Sequence, residues 1–88
     1  MNADGLSREA VLEKVREHLS TELEVPVAEI VESTRLRDDL DADSLDLYEL
    51  VMELEDTYGI NVSEQEAAGI ETVQQAVDFV AERLGVPT

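Results

Sequence analysis

The chain has 88 residues and a mass of 9.7 kDa, room for one small domain and not for a second core. Its 22 acids against 6 lysines and arginines give a net charge of −16, which argues against nucleic acid and anionic membrane surfaces and for basic protein partners. The absence of cysteine excludes disulfides, thiolate nucleophiles and cysteine-ligated metals. The scarcity of aromatics leaves the core to Leu, Val, Ile and Ala, a composition that favours helices.

In chain order, residues 1–5 carry neither an apolar core nor basic residues, so they read as a disordered tail and not as a signal peptide. No apolar run approaches membrane-spanning length, and the expectation is a monomeric cytoplasmic protein. A first helix starts on Ser7 as N-cap, with Val11, Val15 and Leu19 at four-residue spacing beside Leu12 and Leu23. It ends between Thr21 and Glu24, because Pro26 disfavours helix at the residue before it. The stretch from Val25 to Asp43 is a long connection in which Val27, Ile30, Val31, Leu36 and Leu40 predict packing against the helices. Its segment Glu32-Ser33-Thr34-Arg35 reads as a turn.

Asp43 is the expected N-cap of a second helix from Ser44 to Tyr58, stopped by Gly59. Leu47, Leu50, Val51, Leu54 and Tyr58 make one apolar stripe on it, which a surface helix needs. Leu45, Tyr48 and Met52 make a second stripe, interleaved with Asp46, Glu49, Glu53 and Asp56, which packing alone does not require. Gly59-Ile60-Asn61-Val62 is a short extended candidate. Ser63-Glu64-Gln65-Glu66 is a capping-box pattern closed by Gly69, which predicts a short third helix. Thr72-Val73-Gln74-Gln75 is another, followed by Val73, Ala76, Val77, Val80, Ala81 and Leu84 at helical spacing and by Gly85 and Pro87. The fold class is all-α: three longer helices plus one short helix, with a long loop between the first and second.

From Asp38 to Glu82 the chain holds 14 acids and no lysine or arginine. Ser44 sits in that stretch, in the first turn of the second helix. A serine without a base beside it is a poor nucleophile of its own and reads better as a residue that another protein modifies. A phosphodiester at a helix N-terminus would meet unpaired N–H groups and the positive end of the helix dipole. The surrounding aspartates repel a free phosphate, so such a group would have to be held covalently. The aspartate run does not form a calcium loop. With Asp39, Asp41 and Asp43 as positions 1, 3 and 5, Ser44 takes the glycine position and Leu50 the bidentate acid; starting at Asp38 puts Leu40 at position 3. No metal ligand set is assigned. His18, the single histidine, has no nucleophile or fellow ligand near it in sequence and reads as a boundary residue of the first helix. The carboxylates read as a solvated face and not as an acid–base pair.

Asp39-Leu40-Asp41-Ala42-Asp43-Ser44-Leu45-Asp46, continued by Glu49-Leu50-Val51-Met52-Glu53-Leu54-Glu55, resembles the attachment site of acyl carrier proteins. Ile70-Glu71-Thr72-Val73 and Ala76-Val77-Asp78-Phe79 extend the resemblance, which covers roughly Val11 to Leu84. It implies a four-helix bundle forming a single acyl carrier domain over residues 1–88. It also implies a 4′-phosphopantetheine cofactor on Ser44 that brings the thiol the chain lacks, and acyl intermediates carried on it as thioesters. Such a chain is no enzyme, and no catalytic residue is assigned. The implied partners are a phosphopantetheinyl transferase and acyl-transfer or synthase enzymes with basic surface patches. By the same resemblance Asp43, Leu45, Asp46, Tyr48, Glu49, Met52, Glu55 and Asp56 meet partner enzymes, and Leu50, Leu54, Val62, Ile70 and Ala76 line an acyl-chain cavity. The expected service is fatty acid biosynthesis, with a polyketide or related pathway as the alternative and a cofactor-free acidic adaptor as the other class. Three positions depart from the family pattern: Asp41 replaces a common glycine, Tyr48 is bulkier than the usual aliphatic, and Arg37 stands where an apolar residue is typical.

Overall fold

Each helix begins on a side chain that accepts a hydrogen bond from the backbone N–H three residues on: Ser7 from Ala10, Asp43 from Asp46, Ser63 from Glu66 and Thr72 from Gln75, at 2.9–3.1 Å. These caps satisfy donors that a helix start otherwise leaves unpaired. They set the elements of a computed structural model that describes residues 7–86: α1 Arg8–Leu23, a 3₁₀ turn Val27–Glu29, α2 Ser44–Tyr58, α3 Glu64–Ala68 and α4 Val73–Leu84. The expected tail at residues 1–5 lies outside the described residues, as does Pro87. The predicted starts and stops hold, including Gly59 in the left-handed region at φ 66° to close α2. α1 closes on a non-glycine, Glu24 at φ 57°, whose N–H donates to the Ser20 carbonyl.

The core joins Val11, Val15 and Leu19 of α1, Leu50 and Leu54 of α2, Ile70 before α4, and Val73, Ala76, Val77 and Val80 of α4. Ile30, Leu36 and Ala42 of the connection complete it. Val27 and Val31, expected to pack, are instead exposed. The backbone around them is held by other means, since Arg16 donates to the carbonyls of Ile30 at 2.7 Å and Val27 at 2.9 Å.

The connection is also stitched to the start of α4, which periodicity does not foretell. Arg35 and Thr72 form an isolated antiparallel bridge. Leu36 N–H donates to the Glu71 carbonyl, Val73 N–H to that of Thr34, and Gln74 N–H to that of Glu32, at 2.9–3.1 Å. The expected turn is present, closed by Thr34 N–H on the Val31 carbonyl at 3.1 Å, but Thr34 itself is buried and its hydroxyl accepts from Val31 N–H at 2.9 Å. Arg8 ties the same region from the other side, with 2.7 Å to Glu32 and 2.9 Å to Asp78. That pairing holds the Glu32 carboxyl below its ordinary value. Asp41 lies in the left-handed region at φ 60°, which explains why glycine is the common residue there; aspartate is among the few others that tolerate it.

Residues 59–62 form no strand. Val62 N–H donates to the Glu55 carboxylate at 2.8 Å, and the Asn61 carbonyl accepts from Arg83. Arg83 also pairs with Glu66 and lies 4.6 Å over the Phe79 ring, so one side chain joins α3 to α4.

Candidate functional site

Ser44 is the first residue of α2, and its side chain is exposed. The capping box around it is built from acids: Asp43 accepts from Asp46 N–H at 2.9 Å, and Asp46 accepts from Asp43 N–H at 3.0 Å. Asp43 is held below the ordinary carboxyl value chiefly by the Asp46 N–H, with a lesser contribution from that of Leu45. The sequence reading offered these N–H groups to a phosphate. In the structure Asp43 already takes that of Asp46.

A cleft of about 340 Å³ opens beside Ser44, lined by Arg37, Leu47, Tyr48, Glu64, Ala67 and Ala68. Two polar contacts frame it. Arg37 Nη2 lies 3.4 Å from Ser44 Oγ, and Tyr48 donates its hydroxyl to Glu64 at 3.0 Å across α2 and α3. That hydrogen bond to Glu64, and then the negative charge of Glu64, push the Tyr48 phenol up from its ordinary value. Neither Arg37 nor Glu64 was singled out as a site residue. Arg37 was visible only as a departure from the family pattern, and Glu64 only as a helix-start acid.

The residues matched to the partner face do not share one situation. Leu45 and Met52 are 62% and 58% exposed. Tyr48 is 49% exposed but tied to Glu64. Asp56 is exposed, whereas Glu55 is half-buried and committed to Val62 N–H. Glu49 is half-buried beside Glu22 of α1. The carboxylate oxygens of Glu22, Asp46 and Glu49 lie within 4.8 Å of one another, and a carboxyl–carboxylate hydrogen bond to Glu22 raises Glu49 above its ordinary value. Glu22 was not foreseen there, because its approach depends on how α1 crosses α2. His18 is half-buried, as expected of a boundary residue, with Nε2 buried and unpartnered.

Of the residues matched to an acyl cavity, Leu50, Leu54, Ile70 and Ala76 are packed in the core, and Val62 is half-buried. None of the five lines the cleft beside Ser44, whose apolar wall comes from Leu47, Ala67 and Ala68.

A profile of the phosphopantetheine attachment site matches residues 13–80, a span that contains Ser44, the cleft and the acidic cap. The chain belongs to the acyl carrier protein family. An acyl carrier protein of Rubrobacter xylanophilus is 44% identical over 77 residues, covering 88% of this chain and 95% of that one. One from Solidesulfovibrio magneticus is 41% identical over 76 residues, covering 86% and 97%. The solved acyl carrier protein of Enterococcus faecalis superposes with a TM-score of 0.76 at 38% identity, covering 86% of this chain and 96% of that one. Acyl carrier proteins are carriers and not enzymes, and the prosthetic group of their attachment domain is 4′-phosphopantetheine. They interact with transferases and synthases. Among the described residues no helix is long and apolar enough to cross a membrane.

Proposed function

We propose that this chain is a single carrier domain that holds acyl groups as thioesters on a 4′-phosphopantetheine arm attached to Ser44 and presents them, in the cytoplasm, to the enzymes of fatty acid biosynthesis. The observation that carries this reading is the placement of Ser44. Its hydroxyl is exposed at the first turn of α2, beside a cleft, with an acidic face on one side and no internal base to turn it into a nucleophile. A serine so placed suits modification from outside. The bound group would supply the thiol that a chain without cysteine lacks.

The surroundings fit that group. Leu45 and Met52 stand exposed on the same helix as Ser44, within a frame of carboxylates that steers basic-rimmed partners. Leu47, Ala67 and Ala68 offer the cleft an apolar wall. The core residues Leu50, Leu54, Ile70 and Ala76, with half-buried Val62, would be the lining that a longer acyl chain parts.

Intact mass after incubation with coenzyme A and a phosphopantetheinyl transferase tests the assignment. The wild-type chain should gain one phosphopantetheine. Ser44→Ala should gain none while melting as the wild type does, because Asp43 supplies the cap. Modification of Ser44→Ala protein would overturn the site, and an unmodified wild type would return the chain to the class of acidic adaptors. The acyl species recovered on the chain from cells distinguishes fatty acid service from a polyketide pathway.

A further inference from the structure

Among the described residues, five of the six basic side chains are in ion pairs: Arg8 with Glu32 and Asp78, Lys14 with Glu53, Arg16 with Glu13, Arg35 with Asp38 and Asp39, and Arg83 with Glu66. Arg37 is the sixth. It forms no ion pair among the described residues although acids crowd its own loop, and its guanidinium turns to the Ser44 hydroxyl, 3.4 Å away. For a neutral hydroxyl that is a long, weak contact, a poor use of a cation in a chain of net charge −16.

The electrostatics around Ser44 supply the reason. A phosphodiester on Ser44 adds a negative charge to a helix start where Asp43 already accepts the Asp46 N–H and Asp46 accepts that of Asp43. The helix start therefore has one donor fewer to offer an anion, and the two carboxylates beside it repel one. We propose that Arg37 is the internal counter-ion of the phosphodiester carried on Ser44, holding the root of the arm at the mouth of the cleft it shares with Tyr48 and Glu64. A guanidinium presents its N–H groups in a planar fork that matches the paired oxygens of a phosphate, and charge-assisted bonds of this kind are roughly twice as strong as neutral ones. The contact seen at 3.4 Å is thus a cation poised at the attachment atom, which gains its proper partner only on modification. This rests on the carrier reading.

The test compares unmodified and fully loaded forms of wild type, Arg37→Gln and Arg37→Lys, with loading confirmed by intact mass. Arg37 is exposed, so the unmodified variants should melt close to wild type. Loading should lower the melting temperature of Arg37→Gln by roughly 2–6 °C more than it lowers that of wild type, the size expected of one exposed charged pair in so small a domain. High salt should shrink that difference. The phosphorus resonance of the loaded protein should be narrower in Arg37→Gln, because the arm's root moves more freely. Arg37→Lys should fall between, since it keeps the charge but not the fork. If loading shifts wild type and Arg37→Gln equally and their phosphorus lines coincide, Arg37 is not the counter-ion even though the carrier reading stands. If the wild type gains no mass, the carrier reading and this inference fall together.

Discussion

α2 and α4 are of similar length, yet they spend their apolar residues differently. α4 buries Val73, Ala76, Val77, Val80 and Ala81 and exposes none of its large apolar side chains. α2 buries only Leu50, Val51 and Leu54, and leaves Leu45, Tyr48 and Met52 exposed among its acids. One stripe suffices to dock a helix on a core, so α4 shows what the fold asks for and α2 shows what it does not. The second stripe begins one residue after Ser44. On the proposed carrier function, apolar side chains held in solvent beside Ser44 are a surface for partner enzymes, and acyl carrier proteins interact with transferases and synthases.

The sharpest way to break this contrast is to cut into the buried face of α2. Leu54 is 1% exposed within the core cluster, so Leu54→Ala should cost roughly 2–5 kcal/mol, a large share of what so small a domain has. Chemical denaturation measures it. A cost below about 1 kcal/mol would mean that α2 is held only loosely and that its two faces are not distinct.

The outward face should behave in the opposite manner. Leu45→Ala and Met52→Ala should each change stability by less than about 1 kcal/mol, since they remove no buried contact. The same variants should raise the KM of the phosphopantetheinyl transferase about 5-fold or more, the loss expected when an interface side chain worth over 1 kcal/mol is truncated. Tyr48→Ala separates two explanations within this face. Besides its exposed ring it loses the bond to Glu64, so it should loosen the cleft as well as weaken docking. Tyr48→Phe keeps the ring alone. If Tyr48→Phe matches wild type in KM, the ring docks and the hydroxyl serves the cleft; if it matches Tyr48→Ala, the bond to Glu64 is what positions the face.

How far the sequence foretold this molecule follows from the range of each interaction. The helix starts were legible because Ser7, Asp43, Ser63 and Thr72 cap the N–H three residues away, and α2 ends where Gly59 adopts the left-handed turn. The division of α2 into two faces was legible for the same reason, since periodicity is local. The bridge between Arg35 and Thr72, the burial of Thr34 and the commitment of Glu55 to Val62 were not. They depend on where the long connection and the α2–α3 loop come to rest after packing. The site divides along the same line. Ser44 stands out from its neighbours in sequence, whereas the approach of Arg37 to it and of Glu22 to Glu49 carries no such local signal.

The smallest expected effect lies where the acidic face of α2 meets α1. Glu49 is raised above its ordinary value of 4.5, first by the hydrogen bond to Glu22 and then by the charge of Glu22, with Asp43 adding to it and His18 opposing. The native state therefore binds more protons than the unfolded chain at and just above that value. Stability from this pair is greatest in acid, falls as pH rises through the raised value, and is lowest near neutrality, where two carboxylates face each other. Asp43 and Glu66, lowered by N–H donors and by Arg83, act in the opposite sense, and their contribution is lost as pH falls. Both sets overlap in the whole protein's acid profile, so the profile alone cannot separate them, but a difference between two variants can. Glu22→Gln removes the facing charge and leaves Asp43 and Glu66 untouched. It should melt slightly above wild type near neutral pH, and the gap should close as pH falls far enough for Glu49 to be protonated in both proteins. Partner docking should change little, because Leu45 and Met52 remain in place. A gap that stays constant with pH would mean that Glu22 acts on α2 through packing and not through charge. The acidic face would then be a solvated surface at this end too, as it already is at Asp56.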